Sequence, residues 1–462
     1  MKNFIFSLLL IISFSASSQS PWDLQTCISY ALNHNISLRQ SSLNNELYKN
    51  NTEQSKGALL PSLNAGATHV YNFGKTIDRF TNEFADKRVL SQNFYLGSSV
   101  ILWGGLSQVN IVKANEYTYL SGVELLKQQK NDVSLNVANA YIGVIFSEEV
   151  LKISQNQYSV TAEQLERTSK LVTAGALAKS VEYDIKAQLA NELVNVTVAG
   201  NNFQISILTL KQLMNLDSVT NFSIARPEIT LQEAELLENN VQFIYESSLK
   251  TQAIIKSNEY SILSAERSLR SAKGRISPSL SLNGNLATGY SGLALRKTGD
   301  YQAINTIGTF TYSSTMGIYE KAPFVYQFQQ NIAKSLGLTL NIPLYNGLQT
   351  HTAIKNAKIN ALNTRLSLDL TKQNLYKNIA QAHVNAKAGL NKYMASKFSV
   401  EAATESFNYA QQKFNAGVIS AIDFSTSKNR LYAAESNLLQ AKYDYVFKLK
   451  VLDYYQGKPL GF

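Results

Sequence analysis

The residues able to do chemistry are scattered along this chain. The four histidines, His34, His69, His351 and His383, fall in separate segments, and none has a partner at the spacing that a metal ion or an acid–base pair requires. A single cysteine, Cys27, excludes an intrachain disulfide and a cysteine-rich metal site. The Gly104-Gly105 step lacks the context of a phosphate loop and reads as a turn. Catalysis, a resident metal and a cofactor are therefore not expected. The stretch Leu24–Cys27, "LQTC", has the outline of a lipid-attachment box, but Thr26 is a poor residue before the cysteine; a half-buried helix thiol is expected instead.

What recurs is a pattern that bends the chain. "VTAGALAKSVEY" (Val172 to Tyr183) and "FNAGVISAIDF" (Phe414 to Phe424) each interrupt a long run of helix-forming residues with the same Ala-Gly step. Glycine takes the left-handed conformation at little cost, so Ala174-Gly175 and Ala416-Gly417 mark where one long helix ends and a second turns back beside it.

The elements that position these turns are written twice. "SKGALLPSL" at Ser55 returns as "AKGRISPSL" at Ala272, and "VILWGGL" at Val100 returns as "IPLYNGL" at Ile342. The distance from Gly105 to Gly175 and from Gly347 to Gly417 is 70 residues in both cases. We therefore expect two copies of one unit, 19–229 and 230–462, after a leader at 1–18. Each copy opens with a helical pattern, Trp22 to Lys56 and about Thr230 to Lys273. A glycine stop follows, and then a proline that biases the chain toward extended geometry.

The period then changes to two. Strands are expected at about 61–73 and 93–103 in the first copy, and at about 278–290 and 332–345 in the second. Leu63, Ala65, Ala67, His69, Tyr71 and Phe73 alternate with small polar residues. Phe94, Leu96, Val100 and Leu102 share a face, and Leu336, Leu338, Leu340, Ile342 and Leu344 share another. Apolar on one side and small-polar on the other is what a strand needs between lipid and a watery lumen; a soluble two-layer sheet gives the same signal. Gly74 to Asn93 and Ser291 to Asn331 read as long polar, aromatic-rich loops without structure of their own. Long helices follow at about 105–215 and 347–456, and the last shows a heptad-like seam through Leu431, Leu438, Tyr445 and Leu452. Leu106 to Thr173 would run roughly 100 Å if continuous.

The N-terminus has the layout of a secretory signal peptide, with Lys2, an apolar run to Phe14 and "SASSQS"; cleavage is expected after Ser18. No later segment is apolar over the ~18 residues of a membrane helix. Charged residues make up only 16%, and the 25 tyrosines suit interfaces. The net charge of +10 is spread without a cluster, which gives no footprint for nucleic acid.

Four membrane-suited strands cannot close a barrel, since the smallest have about eight. Open edges in lipid leave backbone groups unpaired, so a trimer with twelve strands or a dimer with eight is required. A periplasmic coiled-coil structural or adaptor protein would share the heptads and the leader. It would not explain four strands of barrel length and a full duplication.

The chain resembles the TolC family of outer-membrane efflux proteins. The resemblance is carried by "LQTCISYALNHN", "GALLPSL", "GRISPSL", "LYNGL" and "FNAGVISAIDF" followed by "SKNRLYAAESNLLQAKYDYV". It covers Trp22 to about Leu460. It implies a mixed α and β fold, with four transmembrane strands per chain in a shared trimeric 12-stranded barrel continued by a periplasmic α-helical barrel. The implied partners are two further copies of the chain, a periplasmic adaptor (membrane fusion) protein, an inner-membrane transporter of RND or ABC type, and outer-membrane lipid.

The resemblance also implies roles for residues. Ala174, Gly175, Ala416 and Gly417 become adaptor-docking tips. Phe414 stands at an aromatic position that narrows the entrance, with Glu182 and Asp423 at acidic positions. Ile419 stands where relatives can have arginine, and Thr426 where some have a second acid. Glu182 and Asp423 read equally as solvated acids near a helix start.

Overall fold

The computed structural model describes residues 21–78, 80–82, 84–85, 88–217, 222–227, 240–307 and 309–458. The leader, its cleavage site and the boundary expected at 229–230 lie outside these residues. In chain order the elements are α1 (Leu24–His34), α2 (Ile36–Gly57), β1 (Ser62–Asn72), β2 (Thr76–Ile77), β3 (Phe84–Ala85), β4 (Val89–Gly104), α3 (Ser107–Thr173), α4 (Lys179–Met214), α5 (Val241–Thr251), α6 (Ala253–Gly274), β5 (Ser279–Ser291), β6 (Leu295–Ile307), β7 (Phe310–Lys321), α7 (Phe324–Gln330), β8 (Ala333–Asn341), α8 (Gln349–Asn415) and α9 (Ala421–Gln456).

Helix lengths recur. Helices α1 to α4 have 11, 22, 67 and 36 residues, and α5, α6, α8 and α9 have the same four lengths. No described helix is long and apolar enough to cross a membrane. The chain separates into two compact units, Met1–Asn44 with Val123–Ser257 and Leu368–Phe462, and Asn45–Gly122 with Asn258–Ser367. Each unit draws on both halves of the sequence.

The first unit is helical. Its core joins Leu24, Cys27, Ile28 and Ala31 of α1 to Val137, Tyr141 and Ile145 of α3, Leu210 and Met214 of α4, and Val446 of α9. The Asp23 carboxylate caps α1 by accepting from the Thr26 amide at 2.7 Å. The opening helical pattern is two helices rather than one. Asn35 ends α1, and its Oδ1 accepts from the Ser37 and Leu38 amides at 3.0 and 3.3 Å to start α2. Cys27 is fully buried rather than half-buried, and burial pushes its thiol up to about 12.

The second unit holds the sheet, in the order β1-β4-β5-β8, antiparallel throughout. Register puts like with like: Leu280 opposes Leu340, Leu282 opposes Leu338, and Val100 opposes Leu282, so one face is apolar across the sheet. On β8 this face is bare in the single chain, with Leu336, Leu338 and Leu340 at 77, 64 and 61% exposure, while Val100, Leu280 and Leu282 are half-buried. The other face carries Ser, Asn, Thr, Gly and a few apolar residues and no charged one; Lys334, near the start of β8, lies opposite Leu286 at the end of the apolar face. On the polar face Ser99 donates to Asn283 at 2.7 Å, and Asn283 donates to Thr339 at 3.1 Å.

Three expectations change here. A bulge between Ile101 and Trp103 sets Trp103 opposite Leu280, in the place expected of Leu102. Strand β8 stops at Asn341 instead of continuing to about 345, just before Pro343, which has no amide to donate. The segment Ser291 to Asn331 is not structureless: it holds the β6–β7 hairpin and α7, and β2 pairs with β3 in the shorter loop. Serine and threonine stand on both hairpin faces, which blurred the alternation of Tyr301, Ile307, Tyr312 and Met316.

Candidate functional site

Both helix turns lie in the helical unit and share a backbone motif. Helix α3 ends as the Ala174, Gly175 and Ala176 amides donate to Lys170, Val172 and Leu171 at 3.0, 3.0 and 2.9 Å. Helix α8 ends as the Ala416, Gly417 and Val418 amides donate to Gln412, Phe414 and Lys413 at the same three distances. Gly175 and Gly417 have φ of +74° and +70°, the left-handed residue that such a stop needs. Nothing lies within 4 Å of a Cβ at either, so conformation alone selects glycine there. Ala174, Gly175, Ala416 and Gly417 are all exposed.

The restarts differ. Helix α4 begins after Ala178, which offers no side-chain cap, whereas the Ser420 hydroxyl accepts from the Asp423 amide at 3.1 Å and donates to the Asp423 carboxylate at 2.8 Å. Asp423 is thus engaged at the positive end of α9. Glu182 instead takes a hydrogen bond from the Lys186 ammonium at 2.7 Å, which holds its carboxyl below the usual range.

The expected entrance residues do not form one cluster. Phe414 and Gly417 line a groove of about 350 Å³ between the two helix pairs, with Arg167, Leu171 and Phe424. Ile419 and Ser420 border the same groove. The Phe414 ring is stacked on buried Phe424, centroids 4.9 Å apart. Glu182 and Ala174 line a different cleft, with Lys170 and Lys186. Asp423 and Gly175 line neither. The Thr426 hydroxyl bonds its own helix at Ile422, 2.8 Å away.

Two polar links had no local signal in the sequence. Arg167 donates to Asn415 at 3.3 Å, joining the end of α3 to the end of α8. Deeper in the unit the Lys428 ammonium of α9 is 3% exposed and reaches Glu192 of α4 at 3.3 Å, the Gln157 carbonyl of α3 at 2.9 Å and the Thr161 hydroxyl. Burial holds this lysine below its ordinary value, against the opposing pull of Glu192. Among the described residues no group of histidines, cysteines and acids could hold a metal ion.

Residues 255–457 match the family described as outer membrane efflux protein. Outer membrane protein TolC of Escherichia coli (strain K12) is 24% identical over 454 residues, 95% of this chain and 82% of TolC. Among solved structures, CusC, studied for its folding and transmembrane channel formation, superimposes with a TM-score of 0.77 at 15% identity, over 94% of this chain and 92% of its own. The Campylobacter jejuni CmeC outer membrane channel gives 0.76 at 15% identity, over 94% of this chain and 85% of CmeC. In sequence over its second half and in fold over nearly its whole length, this chain is similar to the TolC-like outer membrane efflux proteins.

Proposed function

We propose that this outer membrane protein is the passive exit duct of a tripartite export system, built as a homotrimer whose twelve strands share one barrel. The observation that carries the reading is the four-stranded sheet: one largely apolar face, one uncharged polar face, and strands β1 and β8 whose outer edges have no partner among the described residues. Backbone groups on such edges cannot remain unpaired in lipid, so further copies must supply the missing strands. The fully paired, bulge-bearing strands then separate hydrocarbon from an aqueous lumen.

In this reading the exposed Ala-Gly turns meet a periplasmic adaptor protein, which links the duct to an inner-membrane transporter. Phe414, Glu182 and Asp423 border the entrance, and conduction involves no enzymatic step. An insertion between Ala174 and Gly175, or Gly417→Pro, is expected to leave the trimer and its membrane insertion intact while abolishing export. Normal export by both variants would remove the docking assignment, and a chain that crosslinks only as a monomer in detergent would remove the shared barrel.

A further inference from the structure

The apolar face of the four-stranded sheet changes character along its length. At the strand ends joined to helices it presents Leu63, Val100, Leu282 and Leu340, with no ionisable residue in the strands there. At the loop ends the register sets Tyr71, His69, Gln92, Tyr290, Thr288 and Lys334 on the same face. From Leu280 to Tyr290 strand β5 advances ten residues, roughly 34 Å of strand. At the ~40° tilt of a membrane strand that is about 25 Å of height, the full apolar band. The loop end therefore stands where hydrocarbon gives way to headgroups.

Helix α7 lies on this end of the face. Phe324 and Phe328, one turn apart, pack on Phe94 with ring centroids at 6.0 and 5.6 Å, and Phe324 meets Tyr290 at 5.6 Å. The Thr288 hydroxyl donates to the Phe328 carbonyl at 2.7 Å. The buried Gln327 side chain accepts from the Ser291 amide at 2.8 Å and donates to the Ser291 and Ala322 carbonyls, each at 2.9 Å. A seven-residue helix does not persist in water by itself, so these bonds fix it to the sheet. Its outward side is left uncovered, with Val325 65% exposed.

Cations flank this helix. The Arg88 guanidinium stands 4.8 Å from the centroid of the Tyr71 ring, and that of Arg296 stands 5.7 Å from the Tyr326 ring. Lys334 lies opposite Leu286 on the apolar face. The four strands hold no acidic residue. Among the described residues the one acid within ion-pair distance of these three cations is Glu320, 3.9 Å from Arg296, and the Arg296 Nε is buried with no hydrogen-bond partner. From Tyr71 on β1 to Lys334 on β8 the row crosses three strand spacings, roughly 14 Å. Such a row addresses headgroups rather than a single small anion.

We propose that α7 and the loop end of the apolar face form a binding site for a phosphorylated lipid of the outer leaflet, with Arg88, Arg296 and Lys334 taking its phosphate oxygens and Phe324, Val325 and Tyr326 lying against its acyl chains. A guanidinium takes phosphate through two parallel hydrogen bonds, and a lysine rooted in apolar surface extends its ammonium to the headgroups. Cations without matching acids favour an anionic lipid over a neutral one. The site deepens the outer-membrane reading above and rests on it.

The test titrates the full-length protein, purified in an uncharged detergent, with phosphorylated lipid A and with the same lipid after enzymatic dephosphorylation, binding being read by native mass spectrometry. The wild type is expected to bind the phosphorylated lipid at least tenfold more tightly. The triple variant Arg88→Gln, Arg296→Gln, Lys334→Gln is expected to lose that preference. Equal affinity of the wild type for the two lipids, or an undiminished preference in the triple variant, overturns the site. Displacement of the lipid by inorganic phosphate would reveal a small-anion site and overturn the lipid assignment. A second measurement places a nitroxide at Val325→Cys or Leu338→Cys in phosphatidylcholine vesicles; native Cys27 is fully buried and does not take the label. Both labels are expected to be open to dissolved oxygen. If Leu338 is open to oxygen while Val325 is shielded from both oxygen and a water-soluble relaxant, a second copy covers α7 and the lipid site alone fails. If the water-soluble relaxant reaches Leu338, the face does not meet lipid and the membrane reading fails with it.

Discussion

The hairpins α3–α4 and α8–α9 are built on one backbone plan and fastened by different side chains. Their lengths match, their three stop bonds match in distance, and Gly175 and Gly417 differ by 4° in φ. Lys186 and Lys428 stand 242 residues apart, at the same position in the two copies. Lys186 is half exposed and bonded to Glu182 one turn away on its own helix. Lys428 is swallowed between three helices. Backbone hydrogen bonds and one left-handed residue suffice to specify the turn, which left the side chains around it free to diverge.

The largest expected contrast is between these lysines. Lys428→Met leaves the Glu192 charge buried without its partner, at a cost of about 3–5 kcal/mol. Lys186→Met removes a partly exposed pair within one helix and should leave thermal unfolding nearly unchanged. Equal effects in paired melting curves would show that Lys428 is not buried as described. Next come the glycines. Gly175→Ala and Gly417→Ala each force a Cβ into the left-handed region, at about 1–2 kcal/mol, and the two losses should agree because the local geometry does. A large difference would mean that one turn is held by more than its backbone.

The caps should respond in opposite directions. Ser420→Ala removes a capping hydroxyl, at about 1 kcal/mol, whereas Ala178→Ser supplies the cap that α4 lacks and should raise stability by a similar amount. Loss of stability in both would deny the difference between the two helix starts. The smallest effect is acid-dependent. Because the Glu182 carboxyl is held below its usual range by Lys186, its contribution is present above the ordinary carboxylate pKa of about 4.3 and is lost as pH falls through the lowered value. Lys186→Met should therefore flatten the acid limb of a stability profile slightly, and an unchanged limb would remove that coupling.

Much of this plan was legible because it is periodic or repeated. The long helices, the Ala-Gly turns and the four principal strands all announce themselves through local spacing, and the copies reinforce one another. The break at Asn35 was missed because the apolar pattern runs on through it, and only the asparagine's side-chain bonds divide the helix. The β6–β7 hairpin was missed because its alternation is diluted by hydroxyl residues. Near the turns the residue types were visible but not their neighbours. Phe414 stacks on Phe424, Arg167 reaches Asn415, and Lys428 meets Gln157 and Glu192, contacts that span up to 271 residues and leave no trace in local spacing.

The most direct measurement is planar-bilayer conductance of the purified protein, with its oligomeric state read on the same sample. Discrete conductance steps from a trimer are expected if four strands per chain complete a shared aqueous barrel. A monomer that inserts without conductance, or fails to insert, would contradict the duct.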